Sequence, residues 1–286
     1  MYKILTKKSL NENVTQMEID APLVAAKARP GQFVILRVDS EGERIPLTIS
    51  GIDKEKGSVV IVFKDAGSTT KILHYKEAGE YLCDFAGPLG NPTKTDGLKN
   101  VCVIGGGVGC AIGLPIVADL KEKGARVTGI TGFKNKDQII LEEEFRQACD
   151  TFYLMTDDGS KGEHGNVTHP LKRLLENGER FDEIIAIGPV IMMKYVTLTA
   201  KPYDVPVTVS MNPIMIDGTG MCGGCRLTLN RDGKREIRFA CVDGPDFNGY
   251  EVDFDEAVNR SRMYKAFESH AYEETCHLFE ETKKKG

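Results

Sequence analysis

The stretch from Asp217 to Cys241 constrains the chain most, because it combines three cysteines with a cluster of glycines at positions 218, 220, 223 and 224. Four residues separate Asp217 from Cys222, two separate Cys222 from Cys225, and Cys241 follows a strand-like run. Plant-type [2Fe-2S] sites space their ligands C-x4-C-x2-C, with a last cysteine further on. The sequence matches this spacing with an aspartate in the first position. We therefore predict a [2Fe-2S] cluster held by Asp217, Cys222, Cys225 and Cys241.

Two other interpretations of this stretch stay open at this point. Three cysteines and a carboxylate also suit a tetrahedral zinc ion, and buried thiols need no metal at all. Zinc sites usually carry two short Cys or Cys/His pairs, whereas this stretch has one. Asp217 also precedes a glycine, and Asp-Gly is a common turn pair, so its role could lie in loop geometry alone. Between Cys225 and Cys241, apolar and polar residues alternate around Asp232-Gly233, which predicts a β-hairpin.

Composition excludes several classes of function. A length of 286 residues allows two domains and a small module, and 41% hydrophobic with 28% charged residues is ordinary for a globular protein. A net charge of -5 without a basic patch gives no indication of nucleic-acid binding. The sequence shows neither an apolar leader nor a membrane-spanning window, which predicts a cytoplasmic protein. Eight cysteines in such a protein favour thiols and metal ligands over a disulfide framework.

The hydrophobic pattern changes once along the chain. Up to about residue 92, six short strand-like runs are separated by turn residues, with one short helix from Ser68 to His74, which is typical of an antiparallel barrel. From about residue 100, apolar strands alternate with amphipathic helices, which predicts a parallel α/β sheet. The predicted units are a β barrel at 1–97, an α/β domain at 98–209, an iron-sulfur module at 210–250 and a helical C-terminal segment at 251–286.

The sequence GGGVG lies between the first strand and the first helix of the α/β region. Backbone N–H groups at such a helix N-terminus suit a pyrophosphate. The match to the dinucleotide fingerprint is partial, because Cys110 occupies the position of its third glycine. The alternative is a tight βα turn without a ligand. TDDGS and Gly188-Pro189 end later strands, and ligands bind where the carboxyl ends of parallel strands meet. The predicted nucleotide-binding residues are Gly105, Gly106, Gly107, Gly109, Asp157, Asp158 and Gly188.

Two barrel segments are candidates for a second phosphate-bearing ligand. In RIPLTIS, an arginine, a rigid proline and a hydroxyl residue could hold a phosphate and the edge of a flat ring, although an exposed strand is the alternative. GSTT precedes the short helix, where Ser68 could serve either a phosphate or simply the N-cap. The predicted residues are Arg44, Pro46, Leu47, Thr48, Ser50, Gly67, Ser68 and Thr69.

The order of these motifs resembles the order found in the ferredoxin-NADP reductase superfamily. Along the chain the motifs are RIPLTIS, GSTT, GPLG, GGGVG, TDDGS, Gly188-Pro189 and the loop that contains Cys222 and Cys225, here called the cysteine loop. The resemblance is strongest to electron-transfer subunits of dihydroorotate dehydrogenase and to small subunits of NADH-dependent reduced ferredoxin:NADP oxidoreductase. It implies FAD in the barrel, with its pyrophosphate near Gly67–Thr69, and NAD(H) over the α/β domain. The dihydroorotate subunits carry four cysteine ligands, so Asp217 departs from their pattern and resembles the ferredoxin:NADP type.

The resemblance also implies a function. Hydride passes between nicotinamide and flavin without a protein acid or base, so we predict no catalytic residue. A heterodimer with a larger flavin and iron-sulfur subunit is expected, with electron bifurcation and indirect use of NADP(H) and ferredoxin. The alternatives are an NAD-dependent dihydroorotate dehydrogenase subunit and a non-enzymatic zinc-stabilised binding protein. Lys134 and Asn135 provide no acidic partner for a ribose hydroxyl, so the choice of NAD(H) rests on the resemblance.

Overall fold

The structure is a computed structural model that describes residues 1–273. The predictions of a thiol at Cys276 and of the end of the C-terminal helical segment lie outside the described residues. Among the helices of the described chain, none has the length and apolar character needed to cross a membrane.

The first sheet is a nearly closed antiparallel barrel, in the strand order β6-β1-β2-β5-β4-β3-β7. The last of the six strand-like runs in this region, GEYLCDFAG at residues 79–87, predicts one strand, but the structure divides it at Cys83. The first half pairs with β1 and the second with β3, so consecutive strands stand at the two ends of the sheet and nearly close it. The strands are β1 (Tyr2–Asn11), β2 (Val14–Asp20), β3 (Phe33–Arg37), β4 (Arg44–Asp53), β5 (Ser58–Lys64), β6 (Tyr81–Leu82) and β7 (Asp84–Leu89), with helices α1 (Pro22–Ala25) and α2 (Ser68–Tyr75).

The second sheet has the order β11-β10-β9-β8-β12-β13-β16. All its strands are parallel except β16, which pairs antiparallel with β13. The chain order reverses between β8 and β12, so the crevice beyond their carboxyl ends is the place where ligands bind in such sheets. The elements are β8 (Asn100–Gly106), α3 (Gly109–Glu122), β9 (Arg126–Phe133), α4 (Glu142–Ala148), β10 (Thr151–Thr156), β11 (Glu163–His164), α5 (Thr168–Glu176), β12 (Glu183–Ile187), α6 (Val190–Ala200), β13 (Val207–Ser210) and β16 (Asp246–Asn248).

The predicted hairpin after the cysteine loop is confirmed as β14 (Arg226–Arg231) and β15 (Lys234–Phe239). Its turn residues Asp232 and Gly233 have φ of 49° and 74°, the left-handed values that a two-residue hairpin turn requires. The chain then returns to the second sheet as β16, so the sheet is mixed rather than purely parallel as the sequence predicted. The fold class itself is confirmed, while the domain limits remain predictions.

Within the described residues, the chain after β16 contains two helical stretches. The N-cap of helix α7 (Phe254–Ser261) is Asp253, whose side chain accepts from the N–H of Glu256 at 3.0 Å. Residues 265–273 are helical as well. The Lys71 ammonium lies 5.6 Å from the ring centroid of Tyr272, which places this end of the described chain beside α2 of the barrel.

Candidate functional site

A cleft of about 950 Å³ lies between the barrel and the carboxyl ends of β8 and β12. Residues of the barrel and of the second sheet form its walls together. A cavity of this volume is in the range that holds an organic cofactor. Of the predicted residues, the cleft brings together Pro46, Leu47, Thr48, Gly106, Gly107, Gly109, Asp157 and Gly188.

The other predicted residues are absent from the wall of this cleft: Arg44, Ser50, Gly67, Ser68, Thr69, Gly105 and Asp158. Arg44 is exposed and, among residues 1–273, forms no ion pair. The Ser50 hydroxyl is buried without a hydrogen-bond partner in the described chain. The Asp158 carboxylate accepts from the Ser160 N–H at 2.9 Å, and hydrogen bonding from the Ser160 hydroxyl, followed by this N–H, lowers the pKa of Asp158. Asp158 therefore stabilises its own turn.

The glycines of the loop between β8 and α3 have different roles. A Cβ on Gly109 would lie 2.2 Å from the carbonyl oxygen of Ile187, so this glycine permits close packing of α3 on β12. Gly107 has φ of +55°, and a Cβ there would meet no atom within 4 Å. Its backbone thus faces open space in the cleft, where a phosphate can approach the N–H groups at the start of α3. Cys110, in place of the third glycine, is buried, and burial raises the pKa of its thiol.

The start of α2 differs in detail from the prediction. The N-cap is Gly67 and not Ser68, and the Thr70 hydroxyl satisfies this end by accepting from Gly67 N–H at 3.0 Å and donating to Gly67 O at 2.9 Å. A Cβ on Gly67 would meet no atom within 4 Å. Thr69 is buried and donates to Glu43 at 3.3 Å. The open side of Gly67 leaves room for a group next to the helix N-terminus.

The cleft also contains residues that the sequence did not predict. Met211 and Asn212 follow β13 directly, so the same rule of strand carboxyl ends that identified Gly188 could have identified them. Met192 and Tyr195 come from α6, where Met192 is partly buried and Tyr195 is 56% exposed. No periodic signal distinguishes these two residues, because α6 is apolar on several faces.

The cysteine loop places its sulfurs unequally. The sulfurs of Cys225 and Cys241 lie 3.2 Å apart and both residues are buried, whereas Cys222 is exposed and accepts from Gly224 N–H at 3.5 Å. Burial, together with the neighbouring Cys225 thiol, raises the pKa of Cys241 to about 12. Within residues 1–273, no three His, Cys, Asp or Glu side chains converge as a single metal ion would require.

Asp217 organises the loop through both carboxylate oxygens. Oδ1 accepts from the N–H of Thr219 and Oδ2 from the N–H of Cys222, each at 2.7 Å. The bond from Thr219 is the main cause of the lowered pKa of Asp217. These are the contacts expected of a turn residue, and each oxygen still has a lone pair for a metal.

The cysteine loop packs directly on the barrel. A Cβ on Gly218, which has φ of +76°, would lie 2.6 Å from Leu89 Cδ1 and 3.1 Å from Ile35 Cγ1. Ile35 on β3 pairs in register with Pro46 on β4, and Pro46 lines the cleft. Because directly paired residues project their side chains from the same face of a sheet, the cysteine loop and the cleft meet the barrel on one face, at adjacent strands.

A buried carboxyl links the second sheet to the connection between the two sheets. Asp246 on β16 accepts from the Thr93 hydroxyl at 2.6 Å, and its other oxygen has no partner in the described chain. Thr93 belongs to the connection between the two sheets, and Ser210 on β13 is opposite Asp246 in the sheet register. Burial raises the pKa of Asp246, because a charged carboxylate is poorly solvated at this position.

Comparison with known proteins identifies the family. Residues 212–253 match the model for the iron-sulfur cluster binding domain of dihydroorotate dehydrogenase B. The dihydroorotate dehydrogenase B (NAD(+)) electron transfer subunit homolog of Thermotoga maritima is 45% identical over 96% of this chain and 95% of its own length. The corresponding electron transfer subunit of Bacillus pumilus is 31% identical over 87% of this chain and 96% of its own length. The chain belongs to the dihydroorotate dehydrogenase B electron-transfer subunit family.

A solved structure extends this result. A chain in the structure of the NADH-dependent reduced ferredoxin-NADP oxidoreductase, described for flavin-based electron bifurcation, superposes with a TM-score of 0.88. It is 42% identical, and the match covers 96% of this chain and 97% of that chain. The predicted resemblance is confirmed, as is the predicted cofactor set of FAD, an iron-sulfur cluster and NAD(H). The electron-transfer subunit family therefore accounts for the cleft and for the cysteine loop beside it.

Proposed function

We propose that this chain takes reducing equivalents from NADH and delivers electrons to a larger partner subunit. When bound, FAD would accept a hydride from NADH and release its electrons singly to a [2Fe-2S] cluster. The observation that carries the proposal is the position of the cysteine loop. Gly218 packs on Ile35, which pairs with Pro46 on the wall of the cleft. The two redox sites would thus be neighbours within one chain.

The chain's own residues would bind and orient the two nucleotides. In the cleft, the open backbone at Gly107 and the N-terminus of α3 would bind the pyrophosphate of NAD(H), with Asp157 and Gly188 beside it. Pro46, Leu47 and Thr48 would contact the flavin ring, and Arg44 would supply a cation to its phosphates. Ser50 belongs to the same strand. The remaining residues proposed for these two sites are Gly67, Ser68, Thr69, Gly105, Gly106, Gly109 and Asp158.

The cluster would be held by Asp217, Cys222, Cys225 and Cys241. Three thiols, one carboxylate and a glycine-rich backbone form a donor set that suits iron and inorganic sulfide. The lone pairs of Asp217 that remain free beside its two backbone hydrogen bonds make ligation by this residue compatible with the observed loop. A carboxylate donates less charge to iron than a thiolate, so we expect a higher cluster potential than four cysteines would give.

The partner would dock on the apolar surface around the exposed Cys222. Met221 is 89% exposed, and Ile214, Ile216 and Val242 are exposed as well. An apolar group of this kind around a redox centre is typical of a protein interface. We expect this partner to carry further flavin and iron-sulfur centres, in keeping with the family resemblance. It would exchange electrons with ferredoxin and NADP(H) in an electron-bifurcating reaction.

A second candidate function is that of the electron-transfer subunit of an NAD-dependent dihydroorotate dehydrogenase. The matched iron-sulfur family and the 31% identical relative favour it. The two candidates share the cofactors and the flow of electrons within this chain, and they differ in the partner. An activity assay of the native complex distinguishes them. In a dihydroorotate dehydrogenase, dihydroorotate would couple to NAD(H), whereas in the other candidate NADP(H) and ferredoxin would couple to NAD(H).

The test of the shared function is an anaerobic titration of the purified chain with NADH. Flavin bleaching and the appearance of a reduced cluster signal in the EPR spectrum are expected, with NADPH much less effective. A colourless protein containing zinc would refute the proposal. The same titration with NADPH as the better reductant would refute the assignment of NAD(H).

A further inference from the structure

Helix α7 contacts the cysteine loop through one arginine. Arg260, in the last turn of α7, donates from Nη2 to the carbonyl oxygen of Gly224 at 3.2 Å. Gly224 lies between Cys222 and Cys225, and its own N–H donates to the Cys222 sulfur at 3.5 Å. Gly224 therefore connects the Arg260 guanidinium to the Cys222 sulfur, since its carbonyl accepts from the first and its N–H donates to the second.

The charge of Arg260 is not neutralised by its own helix. Glu256, one turn earlier, is bound to Arg235 at 2.6 Å, and Asp255 is bound to Lys194 at 2.6 Å. Within residues 1–273, Arg260 forms no ion pair with a carboxylate. Arg260 is also only partly exposed, so solvent screens its charge incompletely.

The peptide unit that Arg260 contacts is itself part of the site. The Gly224 carbonyl belongs to the same peptide group as the N–H of Cys225. A cationic donor on the carbonyl polarises this group and makes the N–H a stronger donor. Hydrogen bonds to sulfur, net charge and solvent exposure are the levers that set the potential of an iron-sulfur cluster.

We propose that Arg260 is a positioning residue that raises the reduction potential of the cluster. This inference rests on the proposed function, because it requires a cluster at Cys222, Cys225 and Cys241. Reduction adds one negative charge to the cluster, and an unneutralised guanidinium close to the loop stabilises that charge. The same hydrogen bond holds the Gly224 peptide in place. Arg260 would thereby make the cluster a better acceptor for electrons from the flavin.

The experiment compares cluster midpoint potentials in the full chain by EPR-monitored redox titration. Arg260→Met is expected to lower the potential, and Arg260→Lys, which keeps the charge, to lower it less. The matched control is Arg262→Met, which removes the same charge at an exposed position just after α7 and should leave the potential unchanged. Iron release to a chelator should be faster in Arg260→Met than in the control, because the loop loses its contact with α7.

The outcomes separate this inference from the proposed function. A wild-type potential in Arg260→Met with a full iron content would overturn the role of Arg260 and leave the proposed function intact. An equal shift in Arg262→Met would overturn it too, because a general charge effect would then explain the result. Absence of an iron-sulfur signal in the wild-type chain would instead refute the proposed function, and the inference with it.

Discussion

Replacing Gly107 by alanine should weaken NADH binding while the fold is retained. Gly107 has φ of +55° and lines the cleft, and a Cβ there would meet no protein atom within 4 Å. The added methyl group therefore fits the protein but occupies the space where a pyrophosphate would approach the backbone. The substitution tests the ligand's position and not the packing of the loop.

The size of the effect follows from two contributions. A left-handed backbone with a Cβ costs roughly 1–2 kcal/mol, which lowers stability whether or not a ligand is present. Loss of a hydrogen bond between a backbone N–H and a charged phosphate costs about 1.5–3 kcal/mol in binding alone. Since 1.4 kcal/mol corresponds to a tenfold change, the Kd of NADH should rise about 10- to 100-fold.

The control for backbone strain is Gly124→Ala. Gly124 follows α3, has φ of +81°, and a Cβ there would also meet no atom within 4 Å, but it lies outside the cleft. The two variants should lose similar thermal stability, whereas only Gly107→Ala should show a raised Kd in an anaerobic NADH titration. If Gly107→Ala binds NADH as tightly as Gly124→Ala does, the nucleotide does not lie on this loop.

Three further substitutions test other parts of the molecule. Asp217→Ala should lose much of the iron and sulfide, and Asp217→Cys should keep a cluster of lower potential; an alanine variant with full iron content and an unchanged EPR signal would exclude Asp217 as a ligand. Arg44→Ala should weaken FAD binding by about 1.5–3 kcal/mol, because a contact with the phosphate is lost, while the cluster absorbance is unchanged. Unchanged flavin content in gel-filtered protein would show that Arg44 is a simple surface residue. Burial raises the folded-state pKa of Asp246, so this carboxyl costs stability as pH rises above the pKa of an unfolded aspartate. Asp246→Asn should therefore raise the melting temperature at pH 7 more than at pH 4, and an equal change at both pH values would contradict a buried protonated carboxyl.

Local chemistry in the sequence determined several features without the structure. The spacing of Asp217, Cys222 and Cys225, with Cys241 further on, predicted the iron-sulfur site because it matches the ligand spacing of plant-type [2Fe-2S] proteins. Asp232-Gly233 predicted the hairpin because few other pairs adopt two successive left-handed residues. The switch from alternating strands to strand-helix repeats predicted both sheets, because the period of apolar residues follows from the geometry of each element.

Other features depend on contacts between distant parts of the chain, and only the tertiary structure decided them. Gly218 reads as a turn glycine, but its contact with Ile35 brings the cysteine loop to the barrel. Asp246 is ordinary in sequence and becomes buried only in the fold, where Thr93, 153 residues away, donates a hydrogen bond to it. Periodicity specifies which face of an element is apolar, but it does not specify which other face covers it. The neighbouring positions of cleft and cysteine loop, on which the proposed electron transfer depends, are therefore a property of the folded chain.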